Sequence, residues 1–375
     1  MSSPFDVAVV GGGAAGAACA AHLTRGGRSV VVLEQGPFPR NKACGGGMAA
    51  SVQRWFPFDL SPAIDQVIRR VRFTWNLEDP VSAELPGEAP FWIVQRTRLD
   101  AFLMQQATAA GAELRCHWPV QGMRREGEIW QLHGPAGSVS SRAVVIADGS
   151  GSTLGKPLGL GAARPRFAGT MAVELDAPVD EPDTARFDFG LVHHGFCWAF
   201  PRQSGYSIGV GSFIGREAAD PELVLQRLLP DLGQPSDAGR RQLSVLRIWD
   251  GHHRLHGDGV VVVGDAASLC DPFLAEGIRP ALLSGSLAAH HLGHWLDGDG
   301  QALATYSAAM RHDWGESMAW GKRIAQVFYR VPRIGYQLGI KRKTAPQRIA
   351  QILSGDMGYG DIAQRVIRRL LLQQG

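Results

Sequence analysis

Cysteine is scarce in this sequence and shows no pattern. Cys19, Cys44, Cys116, Cys197 and Cys270 are odd in number and nowhere form a C-x-x-C spacing. That excludes a disulfide framework and a cysteine zinc site, and it fits a reducing, cytoplasmic setting. Charge of one sign is nearly absent: 38 Lys and Arg stand against 35 Asp and Glu, a net +3. No dense basic tract with interleaved aromatics appears, so nucleic acid is not an expected partner. No apolar run reaches the ~18 residues of a membrane span. Residues 1–5 are too short for a signal peptide, and the apolar stretch after them reads as strand and glycine loop. The 47 glycines follow no period, and no repeat of 20–50 residues is visible. What is left is a 375-residue chain, 45% hydrophobic and 19% charged. It has the make-up of a globular protein of one large or two ordinary domains.

The stretch 5–34, FDVAVVGGGAAGAACAAHLTRGGRSVVVLE, organises the rest. Residues 7–10 are a short apolar run ending in glycine, the pattern of a buried parallel strand. Gly11, Gly13 and Gly16 sit at G-x-G-x-x-G spacing. Residues 14–23 are Ala-rich without a breaker and predict a helix. Residues 29–33 predict a second strand, closed by Glu34. This is the pattern of a dinucleotide fold. Gly11 makes the turn, Gly13 admits a pyrophosphate, and Gly16 lets the helix pack against the strand. The helix N-terminus favours the anion. Glu34 falls 18 residues after Gly16 (34 − 16), where an acid can take a ribose hydroxyl.

Further along, Gln35 to Gly47 holds two prolines, Arg40, Lys42, Cys44 and three successive glycines. It reads either as a mobile linker or as backbone laid against a flat ligand. Residues 48–60 predict a helix, 67–77 and 91–96 strands, and 98–110 a helix capped by Thr97. Short strands are expected at 113–117, 129–133 and 139–147, the last running into Asp148-Gly149. Between 165 and 249 the pattern becomes strands at 167–176, 184–192, 195–200, 205–213 and 242–249. One helix, 221–229, starts behind Asp220. A buried strand at 259–263 ends in Gly264-Asp265, and a long helix follows at 279–296. Helix continues through 300–330, and the tail from 344 carries two more helical patterns.

Three motifs thus stand in order: the glycine motif with Glu34, Asp148-Gly149, and Gly264-Asp265. The trio resembles the flavoprotein group of p-hydroxybenzoate hydroxylase, which binds FAD. Its details look most like the geranylgeranyl reductase family. They are Lys42-Ala43-Cys44-Gly45-Gly46-Gly47, Trp198-Ala199-Phe200-Pro201, Asp271-Pro272, Glu276-Gly277-Ile278, and 353–361. The resemblance implies an α/β fold in three parts. The first is a discontinuous Rossmann-like FAD-binding domain (1–60, 97–160 and 250–300). The second is an antiparallel-sheet substrate domain (61–96 and 161–249), and the third a helical C-terminal region (301–375). It implies that Gly11, Gly13, Ala14, Ala15, Gly16, Glu34 and Gln35 hold the ADP half of FAD, and that Arg98 reaches the cofactor. Asp265 would meet the ribityl chain or pyrophosphate. Gly277 and Ile278 would present N–H groups to the flavin edge, where a helix N-terminus favours the reduced, anionic form. Arg40, Ala43, Cys44, Gly45, Val120, Asp148, Gly149 and Pro272 complete the implied cofactor contacts. Two positions depart from the family pattern: Gly155 stands where an arginine is usual, and Phe196 where a tyrosine is usual.

Several residues carry two readings. Cys44 is either a proton-donating or positioning group, helped by the nearby charge of Lys42, or a small apolar filler. Trp198 and Phe200 either line an apolar substrate pocket or are plain strand core. The pairs His193-His194, His252-His253 and His290-His291 are adjacent and cannot share a face, so no metal is expected. Lys341-Arg342-Lys343, Arg348, Arg365, Arg368 and Arg369 form either a solvated face or a peripheral contact with an anionic membrane.

The implied activity is reduction of C=C bonds in a prenyl-type or other small apolar substrate by hydride from N5 of reduced flavin. The alternatives are a flavin monooxygenase of aromatic or polyketide-like substrates, a flavin-assisted cyclase, and a carrier without turnover. No second dinucleotide glycine motif is present. NAD(P)H would then bind transiently, or an electron-donor protein such as reduced ferredoxin would serve. Oligomeric state is left open.

Overall fold

The computed structural model describes residues 3–213, 220–342 and 344–372. Lys343 of the basic run lies outside the described residues, as do the side chains of Arg368 and Arg369.

The apolar strand-helix-strand at the start forms as its pattern dictates: β1 (Phe5–Val10), α1 (Ala14–Arg25) and β2 (Val30–Leu33). These join a Rossmann-like eight-stranded sheet with β8 (Glu113–Arg115), β9 (Gly122–Glu126), β10 (Ile129–Gly134), β11 (Gly137–Ile146), β17 (His256–Gly257) and β18 (Val260–Val262). The run β18-β11-β1-β2-β8 is parallel throughout, with Val145 opposite both Val9 and Val261. Parallel strands need cover on both faces, which is why these segments read as continuous Val/Ile/Leu runs rather than alternating ones. The cover comes from α1, α2 (Arg96–Ala109) and α4 (Ile278–Leu296). α1 and α4 cross closely because α1 is alanine and Gly285 carries no side chain. A Cβ there would lie 2.4 Å from the Ala15 carbonyl oxygen.

A second sheet has seven strands in the order β16-β12-β15-β14-β13-β5-β6. They are β5 (Arg70–Trp75), β6 (Glu78–Glu84), β12 (Arg166–Asp176), β13 (Thr184–Phe189), β14 (Gly195–Arg202), β15 (Gly205–Ser212) and β16 (Arg240–Ile248). All neighbours are antiparallel except β13 and β5. Alternation along β14 splits the side chains between two faces. Cys197 and Ala199 pack on Leu225, Leu228 and Leu229 of α3 (Pro221–Asp231), and Phe196, Trp198 and Phe200 point to the other side. Asp220 caps α3 by accepting the Glu222 N–H at 3.0 Å, as its sequence predicts. A small sheet of β3 (Gly47–Ala49), β7 (Phe91–Val94) and β4 (Ile64–Ile68) stands between the two large ones. The C-terminal helices α5 (Ala302–Met310), α6 (Glu316–Arg330), α7 (Pro332–Gly335), α8 (Ala345–Leu353) and α9 (Tyr359–Leu372) wrap one flank.

Three local expectations are corrected. Residues 48–60 are not a helix: β3 pairs with β7, and a 3-10 turn, Ala50–Trp55, follows. Residues 67–77 are not one strand. The chain leaves the small sheet at Ile68 and enters the seven-stranded sheet at Arg70. α2 begins at Arg96 behind an extended Gln95, so Thr97 is inside the helix and caps nothing. β6 and β9 were not expected, both being charged edge segments. Edges tolerate such residues because one side of the strand faces water.

Candidate active site

Parallel strands deliver their carboxyl ends to one edge, and ligands of such sheets bind there. β1, β2, β11 and β18 therefore bring Gly11, Glu34, Asp148-Gly149 and Gly264-Asp265 together from distant parts of the chain. The Gly11 N–H donates to the Leu33 carbonyl at 2.9 Å. Gly16 is obligatory, since a Cβ on it would sit 2.0 Å from the Gly11 carbonyl oxygen. The buried Glu34 carboxylate accepts the N–H of Gly12 at 2.8 Å and of Gly36 at 3.1 Å. Arg40 lies over Gly13, at the amino end of α1, and also reaches Asp100 at 3.3 Å. A cation is thus held where helix dipole and free N–H groups attract an anion.

Lys42 and Asp265 form an ion pair at 2.7 Å, joining the loop after β2 to the turn after β18. Arg96 holds the fully buried Asp100 with two bonds, Nε to Oδ1 at 2.9 Å and Nη2 to Oδ2 at 2.8 Å. Burial opposes the Arg96 charge, but Asp100 more than offsets this and raises its pKa above the usual value. Arg247 crosses from β16 and donates to the carbonyls of Ser150, Ser152 and Ala266. It brings a guanidinium to the Asp148-Gly149 turn, whose own sequence lacks the usual arginine. Burial raises the pKa of Asp148, and its Oδ1 has no partner.

The stretch before α4 is a tight polar turn. Asp271 accepts the N–H groups of Phe273 (2.6 Å) and Leu274 (3.0 Å) and the hydroxyl of Tyr359 (2.7 Å). Burial raises its pKa. Glu276 pairs with Arg279 at 2.7 Å, while its Oε1 has no partner. Burial pushes Glu276 up to about 7, against the pull of Arg279 and with help from Asp271.

Between these groups lies a cavity of about 450 Å³. It runs from Glu34 and Gln35 at one end to an aromatic wall of Phe91, Phe187, Phe196, Trp198, Phe200 and Phe213 at the other. The Cys44-Gly45-Gly46-Gly47 loop faces that wall. Gly46 has φ +81°, and a Cβ on it would strike the Val94 carbonyl at 2.1 Å, so only glycine serves there. Ser207 ties loop to wall: it takes the Trp198 indole N–H and donates to the Cys44 carbonyl, each at 3.4 Å.

The sequence is 31% identical over 325 residues to a menaquinone reductase of Mycolicibacterium smegmatis, covering 77% of this chain and 76% of that one. It is 29% identical over 337 residues to digeranylgeranylglycerophospholipid reductase 2 of Methanothermobacter thermautotrophicus, covering 84% and 85%. A solved geranylgeranyl bacteriochlorophyll reductase-like protein from Thermoplasma acidophilum superimposes with TM-score 0.77 at 21% identity, covering 94% of this chain and 92% of that one. The family model for FAD dependent oxidoreductases matches residues 6–84 and 87–295. The chain belongs to the FAD-dependent oxidoreductases, in their geranylgeranyl reductase group.

The oxidoreductase's residues fit FAD. The amino end of α1 has no acidic residue in its first turn, and Arg40 and Lys42 add charge for a pyrophosphate. Glu34 has its carboxylate fixed beside Gly12, and α4 opens at Gly277 toward the cavity. Of the predicted site residues, Gly11, Gly13, Ala14, Ala15, Glu34, Gln35, Arg40, Cys44, Gly45, Val120, Asp148, Gly149, Asp265, Gly277 and Ile278 line the cavity, with Trp198 and Phe200. Gly16 lies behind it, packed on Gly11. Ala43 and Pro272 are in the flanking loops and are not among its lining. Arg98 is a correction: it is exposed and donates to the Pro62 carbonyl at 2.6 Å, and Arg96 lines the cavity instead. The two-residue shift in the helix start turns Arg98 outward. Phe187, Phe213 and Arg247 were missed as well, and Glu276 was noted only as part of the Glu276-Gly277-Ile278 motif, without a role. For Arg96 a signal existed, an acid four residues on at Asp100; for Arg247 there was none, since its partners lie some 95 and 97 residues away in sequence.

Proposed function

We propose that this oxidoreductase reduces a carbon–carbon double bond in an isoprenoid-type or similarly apolar chain. The observation that carries the reading is the wall of six aromatic rings opposite the Cys44-Gly45-Gly46-Gly47 loop, within the same cavity as the cofactor-type groups. Such a wall recognises apolar carbon rather than charge. The names of the two reductase relatives agree with this chemistry.

Bound FAD supplies the hydride in this class of reaction. The chain's own contribution is orientation, exclusion of water and a proton. Trp198 and Phe200 hold the double bond in place, and Ser207 keeps the Cys44 loop at a fixed distance from them. Two cavity-lining groups can donate a proton, the Cys44 thiol and the Glu276 carboxyl, the latter raised by burial to about 7. Electrons come from NAD(P)H bound in passing or from a donor protein such as reduced ferredoxin.

The test is anaerobic. The FAD-loaded protein is reduced and mixed with geranylgeranyl diphosphate or menaquinone, and flavin absorbance and product mass are followed. Reoxidation without oxygen, with a product heavier by two hydrogens, is expected. Reoxidation only after air is admitted, with oxygen in the product, would establish the monooxygenase instead. Cys44→Ala and Glu276→Gln each leave FAD bound; the one that abolishes turnover identifies the proton source.

A further inference from the structure

The charge of this chain is unevenly placed. Between Glu316 and Asp356 the sequence has eight Lys and Arg and no acid. The whole chain carries +3, so the remainder carries −5 (3 − 8). This basic segment also holds half of the molecule's large exposed apolar side chains among the described residues: Val327 (68% exposed), Val331 (44%), Ile334 (56%) and Leu338 (55%). They form an exposed ridge over the end of α6, the non-helical Val331 that follows it, α7 and the π turn Tyr336–Ile340. Arg323, Arg330, Arg333 and Arg342 are exposed along the same segment, and no carboxylate among the described residues pairs with them.

The opposite side of the ridge is firmly packed. Phe328 meets Phe273 and Phe189 with ring centroids 5.3 Å apart in each case. The Tyr336 hydroxyl donates to the carbonyls of Phe73 (3.1 Å) and Asp79 (2.7 Å). Lys341 pairs with Asp79. The apolar ridge is therefore held outward by a fixed inner face. Phe189 in turn meets Phe196 at 5.8 Å, and Phe196 lines the cavity. Three rings connect the surface ridge to the active-site wall.

We propose that the α6–α7 ridge docks this protein on an anionic lipid bilayer, with Val327, Val331, Ile334 and Leu338 entering the interface and the arginines meeting lipid phosphates. An aliphatic ridge flanked by cations without acids is the pattern of interfacial helices. Four half-exposed aliphatic side chains fall well short of the ~800 Å² per partner that a stable protein interface buries. Docking here puts the bilayer on the side from which Phe328, Phe189 and Phe196 lead inward to the aromatic wall. The inference concerns where the molecule sits and holds whatever reaction it performs.

The test is flotation of the FAD-loaded full chain with vesicles of phosphatidylcholine, with and without about 30% phosphatidylglycerol. Binding to the anionic vesicles is expected to exceed binding to neutral ones at least about tenfold and to fall with salt. The triple variant Val327→Ser, Ile334→Ser, Leu338→Ser should weaken it by about tenfold or more. Arg330→Gln with Arg333→Gln and Arg342→Gln should bring it to the neutral-vesicle level. Leu243→Ser, an exposed apolar residue on β16, should leave it unchanged. Flavin absorbance and unfolding temperature confirm that each variant is folded. Absence of vesicle binding, or equal binding by the triple Ser variant, would overturn the proposal. So would self-association that the Ser variant abolishes, because a second copy would then cover the ridge.

Discussion

Glu276→Gln isolates the buried carboxyl at the start of α4. In the folded protein Glu276 is pushed up to about 7, from 4.5 in an unfolded chain, with burial the largest cause. Between those values the folded state binds the extra proton, so this group's contribution to stability is complete below pH 4.5. It is lost as pH rises through 7. The difference, 7 − 4.5, at 1.36 kcal/mol per pH unit, gives about 3 kcal/mol. Glutamine stays neutral and still offers an oxygen to Arg279, so the variant's own offset is independent of pH. Urea unfolding of FAD-loaded wild type and variant, side by side from below pH 4.5 to above pH 8, gives the difference directly, because groups common to both cancel. The variant should gain about 3 kcal/mol on wild type across that range. Parallel stability curves would refute the placement of Glu276 as a proton-holding group.

Three further outcomes follow from the geometry. Arg96→Gln strands the buried Asp100 with only Arg40 at 3.3 Å, so about 3–5 kcal/mol of stability should be lost in urea unfolding. Arg98→Gln, two residues on and exposed, should stay within ~0.5 kcal/mol. Gly209→Ala places a Cβ 2.1 Å from the Trp198 ring; the indole must move into the cavity, costing about 1–3 kcal/mol and reducing turnover while flavin absorbance at saturating FAD is retained.

Legibility in the sequence followed the range of the forces involved. β1, α1, β2 and β18 rest on local period and glycine spacing, and the structure has them within a residue or two of the expected bounds. The same holds for α3 with its Asp220 cap and for α4. Their chemistry is contained in a few neighbouring residues. The start of α2 was misplaced because threonine is the better cap chemically. The decisive force is Asp100, whose burial recruits Arg96 one turn back and extends the helix. The family of the chain was legible from three glycine–acid motifs. The aromatic wall was only half legible: Trp198 and Phe200 share a face by alternation, but Phe91, Phe187 and Phe213 arrive from other strands. The Lys42–Asp265 pair, 223 residues apart, belongs to the same class. No local pattern announces a partner that only the tertiary fold brings near.

The Tyr359 hydroxyl on Asp271 sets a schedule for synthesis. A ribosome makes Gly11 near the start of its work and β18 more than two hundred residues later, so the flavin-binding edge cannot exist on a half-made chain. Even then Asp271 waits for a donor 88 residues downstream. Cofactor capture therefore cannot precede the synthesis of β18 and the start of α4, and the Tyr359 bond then fixes the turn before α4 from a helix made later still.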